Sequence, residues 1–457
     1  MGGWVFRTVS GVFLALLALA SSAMAQQSEE AADDGLTLSG EYRLRAEGLS
    51  NRFRANSSGD TGILVQRTIV AAEYHSGDFI IGGELMDSRS LLADGQAPIG
   101  NDDVNPLDLL QGYIGYRGAD VLEGGDRLAL TAGRVTMNIG SRRLIARNGF
   151  RNTINNFTGL RAIWDRANGN RAELFYVLPV ERRPRFPARL RDNDLVLDQE
   201  RFGFSFYGAR YVAGLDDKRT DLELFAYGLD EDDSAARATR DRSIWTLGGR
   251  LHRAPAPGTI DFDIQAAYQF GRSSLSLLAN APRLDHDAGL IQAVVGYNFG
   301  DGWNTRFAVR YDFASGDNDP FDGRNNRFDT LFGARGQDFG PTGIYGLLAR
   351  SNISSPGINI TTEPSSRLKL TGLYRPASMA SDRDVLTSAG VVDQSGASGR
   401  FIGNEFIGRA LWEPFGNDIQ FEIGVAWLGK GRFLNTAPNA PEAGNVAYGF
   451  GQIHWHF

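Results

Sequence analysis

The sequence predicts an all-β transmembrane protein, an antiparallel up-and-down β-barrel of about eighteen strands. Three observations support this fold class. Apolar and polar residues alternate in segments of about ten residues, the connections between segments are alternately short and long, and the last residues continue the alternation to the end of the chain. One face of each segment would contact lipid, and the other would face a water-filled lumen.

The first residues have the layout of a secretory signal peptide. Arg7 gives a basic start, Val9 to Ala20 form an apolar core, and Ala23 to Ala25 read as a small-x-small cleavage site. The apolar run is short for a membrane-spanning helix, so a permanent anchor is the less favoured alternative. We therefore predict a cleaved signal peptide over residues 1–25 and a single barrel domain over residues 26–457.

The alternation is clear in the segment 303–315. Phe307 and Val309 fall on one face of this segment, and Arg306 and Arg310 fall on the other. The predicted strands lie near residues 36–48, 63–75, 78–87, 107–117, 127–137, 157–166, 170–180, 201–213, 219–229, 243–253, 259–271, 287–299, 303–315, 342–353, 365–375, 404–415, 417–429 and 446–457.

The connections between the predicted strands differ in length. If the first strand starts in the periplasm, the tight turns fall on the periplasmic side and the long loops outside. The stretch 354–364 is expected to be a connection, although it is long for a periplasmic turn.

The alternative fold class is a soluble β-sandwich or β-helix, but neither accounts for the signal peptide and the difference in loop length together. Short connections are predicted at 75–78, 166–170, 253–258, 299–302 and 413–418, and long ones at 88–106, 138–156, 181–200, 272–286, 316–341 and 376–403.

The final segment, GQIHWHF, is predicted to close the barrel. Trp455 and Phe457 fall on one face, and His454 and His456 fall on the other. The aromatic Phe457 resembles the signal that the outer-membrane barrel assembly machinery reads, so this machinery is an expected partner. The expected location is the outer membrane of a Gram-negative bacterium.

Composition excludes several classes of function. The net charge is −7, and the chain contains no cysteine. An acidic chain with a pI near 5.4 gives no reason to expect a nucleic-acid partner. The missing thiols exclude disulfides and thiolate metal sites.

Charged residues with inward parity are the candidates for a selective lumen, since a barrel of about eighteen strands leaves an aqueous channel. Guanidinium groups would hold the carboxylates of a polyanion in forked pairs, and neighbouring carboxylates would keep it from sticking. The alternative is an ordinary set of solvated ion pairs. The candidates by parity are Glu41, Arg43, Arg45, Arg161, Asp165, Asp261, Asp263, Arg306, Arg310, Asp312, Arg367, Lys369, Arg409 and Glu422.

The stretch 132–166 is the most basic part of the chain and would attract anionic solutes to a pore mouth. Contact with lipopolysaccharide phosphates is the alternative. Arg134 shares parity with Leu128 and Leu130, so it would face the lumen only if a bulge at Gly133 switched faces. The basic residues of the stretch are Arg134, Arg142, Arg143, Arg147, Arg151, Arg161 and Arg166, against the single acid Asp165.

Two stretches resemble the alginate export family of outer-membrane proteins. The first, GRVTMNIGSRRLIARNGFRNTINNFTGLRAIW, is similar to the family's signature, and the second, YDFASGDNDPFDGRNNRFDTLFG, is similar to its ASGD and FD-x-LFG segments. The matching residues are Gly133-Arg134, Gly140, Arg142 to Ile145, Asn156-Phe157, Gly159 and Arg161 in the first stretch, and Ala314 to Asp317 and Phe328 to Gly333 in the second.

The resemblance implies a monomeric barrel with an arginine-rich constriction that conducts a polyuronate. The residues that it assigns to the selectivity ring are Arg134, Arg142, Arg143 and Arg161. Arg310 and Asp312 are second choices, and the luminal candidate Asp165 completes the predicted constriction.

Metal and enzyme sites have weaker support in the sequence. Asp317, Asp319 and Asp322 superficially resemble a calcium loop, but no Glu closes the pattern. We expect no cofactor, with Ca²⁺ between extracellular loops as the alternative. Ser243 or Ser366 would serve as the nucleophile of an outer-membrane hydrolase, but nothing marks a partner for either, so we do not expect an enzyme.

Three functions therefore remain, in this order. The first is a passive channel for an anionic polysaccharide, an alginate-like polyuronate. The second is a porin for small anionic or aromatic nutrients, and the third is a structural or enzymatic barrel. Import and export barrels share the same electrostatics, so these patterns predict a channel for either direction of transport.

Overall fold

The computed structural model describes residues 34–457 except for residues 96, 216–218, 235–236 and 279. The predicted signal peptide lies outside the described residues. In the part that is described, no helix has the length and apolar character needed to cross a membrane.

Eighteen long strands form a closed antiparallel barrel. Each strand pairs with its neighbours in sequence, and the sheet closes where β1 pairs with β18, from Glu41 opposite His456 to Ser50 opposite Ala447. The strands are β1 (Gly35–Ser50), β2 (Thr61–Ser76), β3 (Phe79–Ala93), β4 (Asn105–Ala119), β5 (Arg127–Val135), β6 (Phe157–Asp165), β7 (Arg171–Pro179), β8 (Phe204–Gly214), β9 (Thr220–Glu231), β10 (Ser243–Arg253), β11 (Ile260–Ser274), β12 (Arg283–Asn298), β13 (Arg306–Ala314), β14 (Ile353–Ser365), β15 (Leu368–Ser378), β16 (Phe401–Trp412), β17 (Ile419–Lys430) and β18 (Val446–His456).

A few short elements lie between the barrel strands. The two-residue strand Arg324–Asn325 pairs in parallel with β12, and the strand Pro414–Asn417 precedes β17. The helices are α1 (Pro187–Arg191), α2 (Gly336–Phe339) and α3 (Arg432–Thr436).

The outer face of the wall is apolar, as the alternation predicts. Its aliphatic side chains are open to the surroundings: Leu160 and Ile423 are both 63% exposed, and Ile114 is 62% exposed. A band of this kind suits hydrocarbon and would be unfavourable in water. The lipid-facing set includes Leu36, Leu38, Ile81, Ile114, Leu160, Leu174, Ile358, Ile360, Ile423 and Val425.

One predicted strand is misplaced. Residues 342–352 were expected in a strand but lie in a loop, whereas 354–364, expected as a connection, lie in β14. Pro356 lacks the N–H that a strand normally uses, so the segment reads as a connection in the sequence. In the structure Ile358 and Ile360 face outward and Ser355 is buried on the inner side, which is a regular strand alternation.

The hydrophobic core of the molecule lies inside the barrel. Two long connections fold inward: residues 136–156, here the first inner loop, and residues 315–352, here the second inner loop. Leu144 and Ile145 of the first loop and Phe328 and Tyr345 of the second are at most 3% exposed and belong to one cluster with inward side chains of the wall.

Candidate pore constriction

The two stretches that carry the family resemblance pack against each other inside the barrel. The Phe332 N–H donates to Leu144 O at 3.0 Å, and the Ala146 N–H donates to Phe332 O at 3.1 Å. A Cβ on Gly333 would overlap the carbonyl oxygen of Arg143, so glycine is required for this close approach. This pairing fixes the position of the first inner loop along the barrel axis.

Asp338 in α2 joins both inner loops to the wall. Its carboxylate binds Arg143 Nε at 3.2 Å, Arg310 Nη2 at 3.2 Å and Arg350 Nη2. Burial opposes ionisation of Asp338, but the three guanidinium groups hold its pKa well below the usual range. Asp338 is therefore a charged anchor in the interior.

The ion pairs continue from Asp338 along the wall toward β16. Arg310 binds Asp312 at 2.7 Å, Asp312 lies 3.4 Å from Arg375, and Arg375 lies 3.3 Å from Glu405. The side chains of these four residues are at most 4% exposed. Arg310 and Asp312 are therefore held in a closed network.

In the other direction the ion pairs run across the strands of the wall, from β11 to β6. Arg143 contacts Asp263 at 2.9 Å, and Arg250 contacts the same carboxylate at 2.7 Å. On adjacent strands, Glu223 lies 3.9 Å from Arg250 and 2.8 Å from Arg210. Glu173 then lies 3.5 Å from Arg210 and 2.6 Å from Arg161.

We call the whole series the charge belt. Guanidinium and carboxylate alternate along it, with six of each, and Arg350 branches from Asp338 as a seventh guanidinium, so the belt carries little net charge. Its members in order are Arg161, Glu173, Arg210, Glu223, Arg250, Asp263, Arg143, Asp338, Arg310, Asp312, Arg375 and Glu405.

Arg142 differs from its neighbour Arg143. It lies in the left-handed region with φ +61°, in the turn that begins at Ile139, and its side chain is exposed. The turn contacts the inner wall, because Ser141 Oγ donates to Gln265 Oε1 at 2.5 Å and Gly140 abuts the carboxylate of Glu223. Among the described residues Arg142 has no ion-pair partner. Its guanidinium is therefore free to meet a solute.

Arg134 lies outside the lumen, contrary to its assignment to the selectivity ring. The pairing of β5 with β4 and β6 runs through Gly133 without a shift, so Arg134 keeps the outward parity of Leu130. Its guanidinium binds Glu200 at 2.7 Å and Asp108 at 3.3 Å. The bulge that the luminal assignment required is absent from this pairing.

Other predicted residues are also separated from the belt. Asp165 pairs with Arg171 beside the tight turn after β6. The backbone N–H of Asp317 donates to Asp384, whereas Asp319 and Asp322 accept hydrogen bonds from their own turns. These three aspartates do not converge on one point.

A second basic feature was missed because it lies in loops, where residue parity carries no information. A cavity of about 390 Å³ lies between the outer ends of β10 and β12 and the second inner loop, and Arg240, Arg242, Arg327 and Arg335 line it. Arg242 and Arg327 bind carboxylates. For Arg240 and Arg335, the described residues supply no carboxylate at ion-pair distance.

Similar solved structures are porins of the same size. The chain matches OccK9 (OpdG) of Pseudomonas aeruginosa with a TM-score of 0.58 and 12% identity, covering 92% of this chain and 98% of that one. It matches a BenF-like porin of Pseudomonas fluorescens Pf-5 with a TM-score of 0.57 and 12% identity, covering 92% and 99%. OccK2 (OpdF) of P. aeruginosa in complex with glucuronate gives a TM-score of 0.55 and 12% identity, covering 92% and 98%. At such identities the likeness shows the fold alone.

The comparison of sequences is more specific. No curated protein matches the chain. A family model described as "Alginate export" matches residues 34–446, nearly all of the barrel, including both inner loops. With the closed barrel and its lipid-facing band, this match shows that the chain is an outer-membrane channel of a Gram-negative bacterium and belongs to the alginate export family.

Proposed function

We propose that this channel passes an anionic polysaccharide of the alginate type, passively, along the lumen beside Arg142. The observation that carries the proposal is the unpaired, exposed guanidinium of Arg142 on a loop that the charge belt holds against the inner wall. A uronate carboxylate matches the fork of a guanidinium group. The family to which the chain belongs supports this class of cargo.

The balanced belt suits conduction better than a purely basic ring would. Each belt arginine already has a carboxylate partner, so a passing polyanion meets competition for every guanidinium. Arg142 on the first inner loop and Arg240 and Arg335 at the outer cavity have no ion-pair partner among the described residues, so they attract a polyanion more strongly than the belt does. A channel must attract its solute enough to admit it and weakly enough to release it.

A porin for small anionic nutrients is the second candidate. The inner loops occupy much of the lumen, and the outer cavity of about 390 Å³ is at the lower end of the roughly 300–1,000 Å³ typical of small-ligand pockets. The fold neighbour OccK2 (OpdF) has been solved in complex with glucuronate, a single uronate. Both candidates therefore share uronate chemistry and differ in the length of the solute.

Planar-bilayer conductance of the purified barrel tests the proposal. We expect an anion-selective reversal potential in a KCl gradient and block by oligouronates that strengthens with chain length. Neutral oligosaccharides of matched length are the control and should not block. Equal block by the monomer and the oligomers would favour the second candidate, and a cation-selective channel would contradict both.

A further inference from the structure

Three side chains suited to metal binding meet at the seam that closes the barrel. His454 and His456 lie on β18, and Glu41 lies directly opposite His456 on β1. His454 Nε2 is 3.0 Å from Glu41 Oε2, and the two imidazole rings are 4.0 Å apart between centroids. One ligand atom from each of the three residues lies within 4.8 Å of the others.

The convergence follows from strand geometry. Residues two apart on a strand project from the same face, so both imidazoles face the lumen while Trp455 faces lipid. Antiparallel pairing then places the Glu41 carboxylate beside them. In the described part of the chain, no other group of three or more His, Asp or Glu side chains comes close enough to share one ion.

We propose that Glu41, His454 and His456 form a binding site for a divalent transition-metal ion such as Zn²⁺. Two imidazole nitrogens and one carboxylate oxygen are a ligand set that Zn²⁺ takes in tetrahedral sites, and the fourth position stays open to water or a solute carboxylate. The side chains of Glu41 and His454 are 18% and 15% exposed, so an ion in the lumen reaches them.

Arg67 contacts the carboxylate ligand of the proposed site, Glu41. Its guanidinium binds Glu41 Oε1 at 2.7 Å and leaves Oε2 turned toward the histidines. A partner on the second oxygen orients a ligating carboxylate, as outer contacts do in other metal sites. The positive charge of Arg67 also weakens cation binding, so the site should favour a metal with strong imidazole affinity over Mg²⁺ or Ca²⁺.

A bound ion would have two effects. It would join the first and last strands of the barrel, and a ligand that binds only the folded state raises its stability. It would also add positive charge to the periplasmic part of the lumen, where it would attract anions. The proposal does not depend on the nature of the transported solute.

Zinc titration of the full-length barrel in detergent tests the site. After removal of metal with a chelator, calorimetry at pH 7.5 should show one Zn²⁺ per chain and a higher melting temperature with zinc. H456Q and the double variant H454Q/H456Q should weaken binding by at least about tenfold, since each removes a ligand. The folded state of each variant is checked by its heat-modifiable migration on a gel.

H252Q is the matched control, because His252 on β10 belongs to no three-ligand group among the described residues, although Asp221 lies 3.9 Å away and Asp263 lies opposite it on β11. It should bind zinc as the wild type does. Absence of stoichiometric binding to the wild type, or unchanged binding to the folded double variant, would overturn the proposal. E41Q gives a further check, since it retains the shape of the side chain but should also bind zinc more weakly.

Discussion

Arg142 is the residue on which ion selectivity should depend most. Replacing it with Gln removes an exposed guanidinium that has no ion-pair partner among the described residues, and leaves the charge belt in place. We expect R142Q to lose much of the anion preference, measured as the reversal potential in a KCl gradient. R134Q is the matched control, because Arg134 lies outside the lumen. An equal loss in both variants would refute the assignment.

Asp103 should make the outer loop 94–104 sensitive to pH. Burial raises the pKa of Asp103 to about 7, above the ordinary value of 3.8. The folded loop therefore retains a proton that the unfolded chain loses, and its stability falls as the pH rises from about 4 to about 7. Hydrogen exchange of the loop amides, corrected for intrinsic rates, should show weaker protection at pH 8 than at pH 5.5.

The neighbour of Asp103 supplies the control for this pH effect. Burial would raise the pKa of Asp102, but Arg151 and Arg182 lower it to about 2, so Asp102 stays charged over the tested range. D103N should abolish the pH dependence, whereas D102N should retain it. A pH dependence that survives in D103N would show that another group is responsible.

At the scale of elements, Asp338 determines how the second inner loop is held. D338N removes the charge that three buried arginines share, and breaking a buried pair in this way costs about 3–5 kcal/mol. We expect a lower melting temperature and a larger, noisier single-channel conductance as the inner loops loosen. D322N, an exposed position in the same loop, should change neither property.

The strands were more predictable than the site that they enclose. A strand between lipid and water has apolar and polar residues in alternation, so most strands were located from the sequence. The same alternation placed Arg134 on the outer face, in agreement with the structure and against its assignment to the lumen. β14 was missed because of Pro356, and residues 342–352 were mistaken for a strand because a loop buried in the lumen is also apolar.

Strand parity placed the belt residues Arg161, Asp263, Arg310 and Asp312 on the inward face, but the sequence did not predict how the belt is joined. Arg143 and Asp338 lie far apart in the chain and in connections between strands, so neither spacing nor strand parity relates them. Family resemblance marked Arg143 as functional, but nothing marked Asp338, Arg350 or Glu405. Their positions depend on how two loops pack within a closed wall.

For the whole molecule, the balanced belt predicts how selectivity depends on salt. Exposed charges interact over a Debye length of about 10 Å at 0.1 M salt and about 3 Å at 1 M. Since unpaired arginines such as Arg142 attract anions at long range, anion preference should fall several-fold between these concentrations, measured by reversal potentials at a fixed concentration ratio. Selectivity that stays constant would point to a tight steric filter instead.

An interior packed with side chains also constrains how the molecule is made. The wall encloses both inner loops, and its two ends meet only where β1 and β18 pair. The second inner loop contacts both ends of the sheet, because the Ile344 N–H donates to Glu47 Oε2 on β1 and the Tyr345 ring packs against Tyr448 on β18. The packing of the lumen is therefore complete only when β1 and β18 are paired, so closure of the sheet and burial of this loop depend on each other.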